Sequence, residues 1–186
     1  MPRKLDVIDA LCDILDRNKA LKHYDAQALK KAFRERTDLI FEDFLLEEGI
    51  VDKEDLLNAL AEYYQVPAID AMGILFDHHL VTMFPKDVML RNLFIPYDRE
   101  EDVLLVIAVH PQDPDLPELI GKFVSYDVTF LVGLARDISD SVKEFYDESL
   151  LQRSLDQTMV DEVGEQEEEL AEVDKISELP AEDLED

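Results

Sequence analysis

His78 and His79, preceded by Asp77 and followed further on by Asp87, are the densest grouping of metal-ligating residue types in the chain. Adjacent side chains on a helix diverge by about 100°, so one metal ion cannot easily take both imidazoles, and a structural role is expected for the pair. His110 stands before Pro111 at the end of an apolar run, which suits the end of a strand better than a general base. Cys12 lies beside the apolar face of an amphipathic segment, where a small buried hydrophobe is expected rather than a reactive thiol. It is the only cysteine, so neither an intrachain disulfide nor a cysteine zinc cluster can form. Gly49, Gly73, Gly121, Gly133 and Gly164 are too scattered to build a phosphate loop of the form GxxxxGK-Ser/Thr, and no such motif occurs. No serine or cysteine has an identifiable base beside it. The chain by itself is therefore expected to be no enzyme and to carry no cofactor and no metal.

These residues sit on a strongly acidic chain of 186 residues, with 47% hydrophobic content and a net charge of −27. Between residues 154 and 186, 14 acidic residues and one lysine contribute −13 of that total and leave −14 on the body. Phosphate recognition needs clustered Lys and Arg, so nucleic acid is excluded as a partner, and anionic membrane surfaces are disfavoured on the same ground. The N-terminus MPRKLDVIDALCDIL is interrupted by Asp6, Asp9 and Asp13, the pattern of an amphipathic helix and not of a signal peptide. No run approaches the roughly 20 apolar residues needed to span a bilayer. A cytoplasmic protein without direct membrane insertion is expected.

The elements that must position any site begin with a helix over residues 4–16, carrying Leu5, Ile8, Leu11 or Cys12, and Leu15 on one face. A second, from about Asp25 to Arg36, buries Leu29, Ala32 and Phe33. The stretch Leu39 to Tyr64, LIFEDFLLEEGIVDKEDLLNALAEYY, has the clearest punctuation: Phe41, Phe44 and Leu45 at helical spacing, Gly49 as a left-handed C′ residue, and Asp52 as a cap for a helix bearing Leu56, Leu57 and Leu60. LKKAF at 29–33 is echoed by LLNAL at 56–60, and ALCDIL at 10–15 by IFEDFL at 40–45, which reads as a degenerate duplication of a helix pair.

Beyond Val66-Pro67 an extended link is expected over Ile69 to Gly73, then short helices capped by Asp77 and running from Lys86 to Asn92. Leu93 to Tyr97, with Pro96, suits an edge strand, Asp98 to Asp102 an acidic turn, and the continuously apolar Val103 to Val109 a strand buried on both faces. A helix over Leu116 to Lys122, a strand over Val124 to Val132, and a last helix from Asp137 or Ser139 complete the order. The fold class is α+β: a helical subdomain of two helix pairs at 1–66, a small three-stranded sheet covered by helices at 67–148, and an acidic disordered tail or linker at 149–186.

FEDFLLEEGIVDKEDLLNALAEYY followed by QVPAID resembles the N-terminal domain of the secretion and pilus-assembly ATPases, the family of type II secretion protein E and the type IV pilus extension ATPases. LFIPYDREEDVLLVIAVHPQD and VSYDVTFLVGLARDISDSVKEFY are similar to the same family, so the likeness extends over most of residues 1–148. Part of that family, the MshEN-type domains, is expected to bind cyclic di-GMP through two tandem motifs, each opened by Arg-Leu-Gly and closed by Gln. Here the second opening reads Ile40-Phe41-Glu42 with Tyr63 at its close, and the first reads Ala10-Leu11-Cys12 with Arg36 at its close. Both Arg and Gly are missing twice, and Glu42 puts a carboxylate where a phosphodiester would lie. The resemblance supports the fold and counts against the nucleotide.

What the resemblance implies is a docking and regulatory module that binds the cytoplasmic part of an inner-membrane platform protein, peripheral to the membrane through that partner, with an ATPase domain in the same full-length chain. Leu21 and Phe41 are the candidate docking residues. The alternatives are a cyclic di-GMP sensor with degenerate motifs, a free-standing adaptor, and a self-associating module.

Overall fold

The computed structural model describes residues 4–22, 25–34 and 40–147, with the side chains of residues 4–6 left out. The chain divides into two units, 1–144 and 145–186. The first unit spans residues 1–66 and all but the last four residues of the 67–148 segment drawn from sequence. Of the second, residues 145–147 are described, where the rings of Phe145 and Tyr146 meet edge to face at 5.5 Å. The acidic stretch 149–186 lies outside the described residues.

The first unit begins with four helices: α1 (Lys4–Arg17), α2 (Ala26–Arg34), α3 (Phe41–Glu47) and α4 (Lys53–Tyr64). Their apolar faces make one cluster in which Leu11, Cys12, Leu15, Leu29, Leu45 and Leu56 are fully enclosed. The either-or at Leu11 and Cys12 resolves to both, because α1 packs against α2 on one side and α4 on the other. Phe33 joins α2 to α3, with Phe41 edge-on at 4.9 Å and Phe44 at 5.6 Å. Asp25 caps α2 by accepting from the Ala28 N–H at 2.7 Å.

α3 ends as its sequence predicts. Gly49 has φ +62°, the Ile50 N–H donates to the Leu45 carbonyl at 2.9 Å, and the Gly49 N–H donates to the Leu46 carbonyl at 3.1 Å, the paired bonds of a Schellman turn. Asp52 stands at the N-cap of α4, but its side chain makes no capping bond and pairs instead with Lys22.

The sheet follows. The short helices α5 (His78–Val81) and α6 (Lys86–Asn92) lead into β1 (Phe94–Glu100), β2 (Val103–Ala108), α7 (Asp115–Gly121) and β3 (Asp127–Val132), and the described chain is helical again over residues 135–147 (α8). The strand order is β1-β2-β3, with β1 antiparallel and β3 parallel to β2. Strand β1 runs three residues further than the apolar pattern indicated, because a bulge between Pro96 and Asp98 re-registers the pairing and lets the acidic residues continue the ladder. Pro96 is tolerated because β1 is an edge strand. Strand β3 begins at Asp127 instead of Val124, whose N–H is engaged by the Ile120 carbonyl at the end of α7. The last helix starts earlier than Asp137, with the Ile138 N–H already bonded to the Leu134 carbonyl.

Two devices join the helices to the sheet. The link after α4 runs beside β3: the Val132 N–H donates to the Pro67 carbonyl at 2.9 Å and the Ile69 N–H to the Val132 carbonyl at 3.0 Å. Lys53, at the start of α4, places its ammonium 2.7 Å from Asp70 Oδ1 and 2.9 Å from Asp137 Oδ2. The second contact is held by charge, since Asp137 Oδ2 is buried and lacks a well-angled donor. Burial opposes the charged form of Lys53, but the two carboxylates beside it, Asp70 and Asp137, outweigh that and raise its pKa. The Asp70 carboxyl is likewise held below its ordinary range by Lys53 and the Met72 N–H, against the opposing effect of burial. Its depressed pKa means that its contribution is present above the unfolded value of 3.8 and is lost as the solution becomes more acidic.

Replacing Lys53 by Met leaves the Asp137 carboxylate enclosed without its counter-ion. The expected loss is about 2 kcal/mol in urea unfolding, below the full buried-pair cost because Lys53 is partly exposed, and Asp137→Asn in the same background should recover part of it. Two glycines separate backbone from packing effects. Gly49→Ala should cost about 1 kcal/mol, purely for its left-handed conformation, because an added Cβ there meets nothing within 4 Å. Gly133→Ala should cost about 1–3 kcal/mol, because its Cβ would lie 2.6 Å from Ile107 Cγ2.

Candidate functional site

A partly open cavity of about 440 Å³ lies between the helical layer and the loop that follows β2, within the roughly 300–1,000 Å³ range of ligand pockets. One wall is Val7, Ile8 and Leu11 of α1, and another is Ile40, Phe41 and Glu42 at the start of α3. Tyr64 ends α4 at the cavity, and Leu93, Val109, the loop residues His110, Gln112 and Asp113, and Ala135 complete the lining. The loop is tied to α4: Tyr64 Oη lies 3.3 Å from His110 Nδ1, and Gln112 Nε2 donates to the Tyr64 carbonyl at 3.0 Å. Gln65, at φ +57°, ends the helix with a left-handed residue that lets Tyr64 keep this place. Burial, with Glu42 and Tyr63 adding to it, pushes the Tyr64 hydroxyl up to about 12, so it stays neutral.

The electrostatics run one way. Glu42 and Asp113 are acidic, and no lysine or arginine is among the described residues that line the cavity. Such a site repels phosphate and suits apolar groups with a positive neighbour.

Of the residues singled out in sequence, Ile40, Phe41 and Glu42 come together on this cavity. Tyr63 does not: one position along α4 it turns toward the helical core, its ring 4.8 Å from that of Tyr64. The candidate docking residues Leu21 and Phe41 are not exposed knobs. Phe41 is 2% exposed because Phe33 covers its ring, so it serves as cavity wall, and Leu21 is partly buried against the same core. Arg36 lies outside the described residues.

Tyr64 and His110 to Asp113 escaped sequence reasoning, because they reach the cavity from the end of one helix and from a loop more than forty residues further on. The adjacency of Tyr64 to the motif-closing position was the available signal. His78 and His79 are exposed on α5, whose N-terminus Asp77 caps through the His79 and Leu80 N–H groups. Among the described residues, no three of His, Cys, Asp and Glu gather as a metal would need, and no helix is long and apolar enough to cross a membrane.

With this geometry in hand, residues 64–151 match the MshEN domain family. Over 104 residues the chain is 22% identical to the type IV pilus assembly ATPase PilB of Myxococcus xanthus (strain DK1622). The match takes in 56% of this chain and 18% of that protein, so the chain spans less than a fifth of the curated relative it matches. Among solved structures, MshE with cdg aligns with a TM-score of 0.55 at 24% identity, over 73% of this chain and 98% of that one. The N-terminal domain of XpsE aligns with a TM-score of 0.52 at 18% identity, over 77% and 96%. At these identities the likeness to solved structures is one of fold. The matched stretch begins at Tyr64, so Ile40, Phe41 and Glu42 fall outside it.

Cys12 is fully enclosed, and burial pushes its thiol up to about 12. Native protein at pH 8 is expected to leave Cys12 unreacted with a disulfide-exchange reagent over minutes and to release one equivalent of chromophore once unfolded in guanidinium. Rapid native reaction would show that α1 opens from the core.

Proposed function

We propose that this chain is a non-catalytic docking and regulatory module of the type found at the N-terminus of secretion and type IV pilus assembly ATPases, and that it binds the cytoplasmic part of an inner-membrane platform protein. In this reading the chain is cytoplasmic and reaches the membrane only through that partner, and the ATPase activity belongs to a separate domain of the same full-length protein. The observation that carries the reading is the cavity at Ile40, Phe41 and Glu42, which combines an apolar lining with acidic side chains. A cavity of that character favours a protein surface over an anion. The acidity of the whole chain argues in the same direction against nucleic acid.

The cyclic di-GMP reading has its own support in the MshEN match and in the likeness of fold to MshE with cdg. Against it stand Glu42 and Asp113, whose carboxylates would face two phosphodiesters without a cation among the described lining residues.

Isothermal titration of the full chain separates the two readings. The expected result is saturable heat with the platform protein's cytoplasmic domain and none with cyclic di-GMP at high micromolar concentration. Heat with the nucleotide alone would replace docking by sensing.

A further inference from the structure

We infer that the free edge of β3, at Val128 and Phe130, is a strand-addition site that takes an extended segment of the protein partner as a further strand of the sheet. The partner is that of the docking reading, on which the inference rests. The contact is a second one, since no described residue lining the cavity belongs to β3.

The edge follows from the alternation of backbone groups along a strand. The Asp127 N–H donates to the Asp102 carbonyl and the Gly133 N–H to the Ala108 carbonyl, so the odd-numbered residues of β3 face β2. Val132 faces the other way and is paired with Pro67 and Ile69 of the connector. Val128 and Phe130 turn their N–H and C=O groups in the same direction as Val132, and the connector's pairing does not extend to them. Those groups bond to nothing among the described residues. Another backbone in extended conformation carries donors and acceptors that alternate to match them.

The two edges of the sheet are built differently. β1 carries features that block pairing: Pro96 lacks a donor, a bulge follows it, and Asp98, Arg99 and Glu100 are charged. Between Val128 and Leu131, β3 has no proline, no bulge and no charge, and its register with β2 is unbroken. Such an edge is a hazard for a free chain and an asset where a strand is to be received.

The same alternation sets the chemistry of the incoming segment. Val128 and Phe130 are half-buried on the face that Val132 shares with the helical cluster, whereas Asp127 and Thr129 are exposed on the other. An added strand of about five residues therefore sets apolar side chains beside Val128 and Phe130 and polar ones beside Asp127 and Thr129. The net charge of −27 favours a neutral or basic segment over an acidic one and opposes edge-to-edge pairing of two copies.

The test is per-residue amide exchange by NMR on the full chain, alone and saturated with the cytoplasmic domain of the platform protein, together with titration of two variants. In the chain alone, the Val128 and Phe130 amides are expected to exchange quickly, and those of Thr129 and Leu131, which face β2, slowly. Binding is expected to slow Val128 and Phe130 at least about tenfold and to leave Thr129 and Leu131 unchanged. Val128→Pro removes an outward donor without breaking the ladder to β2, and is expected to weaken binding at least about tenfold. Val128→Thr keeps the donor and is expected to stay within about threefold of wild type. Binding without slower exchange at Val128 and Phe130 overturns the inference while docking stands. So does wild-type affinity in a folded Val128→Pro. Slow exchange there in the chain alone also overturns it, since the edge is then already covered, by a second copy if protection rises with concentration. Absence of binding by the wild type removes the docking reading and this inference with it. Should Val128→Pro fail to fold, exchange in the wild-type chain decides alone.

Discussion

One ammonium group, that of Lys53, faces the carboxylates of Asp70 and Asp137, and so fastens the start of α4 to the link after it and to the helix that follows the sheet. Asp137 is largely enclosed, and an enclosed carboxylate without a counter-ion is costly, so the first turn of α8 can settle only where Lys53 can reach it. Ala135, two residues earlier, is thereby set at the rim of the cavity. Nearby, Arg136 reaches Glu47 at 3.2 Å and Ser141 donates to the Ala71 carbonyl at 3.0 Å. The exposed Arg136 pair adds little energy by itself and serves to orient. The buried hydroxyl bond, in contrast, satisfies a carbonyl that would otherwise be costly to enclose.

Acidity and packing are reconciled by placement. The helical layer keeps its carboxylates on the outer faces, where Lys30 meets Asp9 and Asp13 and Arg17 meets Glu62, while the inner faces are aliphatic and aromatic. Glu42 departs from that partition. It is half-buried at the edge of an apolar cavity and adds to the forces that keep Tyr64 neutral.

The parts of the structure legible in the sequence were those governed by local rules. Gly49 could be read because only a left-handed residue ends α3 in a Schellman turn, Asp77 because its side chain caps the helix directly after it, and β2 because a strand covered on both faces is apolar throughout. The α+β class followed from the order of such elements. What needed three dimensions was missed. Whether Phe41 faces core or surface was not legible, because a helix of seven residues is too short for its pattern to show which apolar positions point inward. The extension of β1 past Tyr97 depended on a bulge that no hydrophobic pattern announces. The cavity draws its lining from residues between Val7 and Ala135, and no local pattern brings those together.

The short pairing of Pro67 to Ile69 with Val132 has a consequence for how this unit can be dissected. It makes the connector after α4 a partial fourth strand on the edge of β3 opposite β2. Val132 and Leu134 meanwhile belong to the same apolar cluster as α1 to α4. A fragment cut just after that connector would uncover an unpaired strand edge and an oily patch at one stroke, and unpaired edges of that kind invite intermolecular pairing. The helices thus act as a built-in chaperone for the sheet, and the natural unit of inheritance, expression or transplantation is the cover together with the strands it shields.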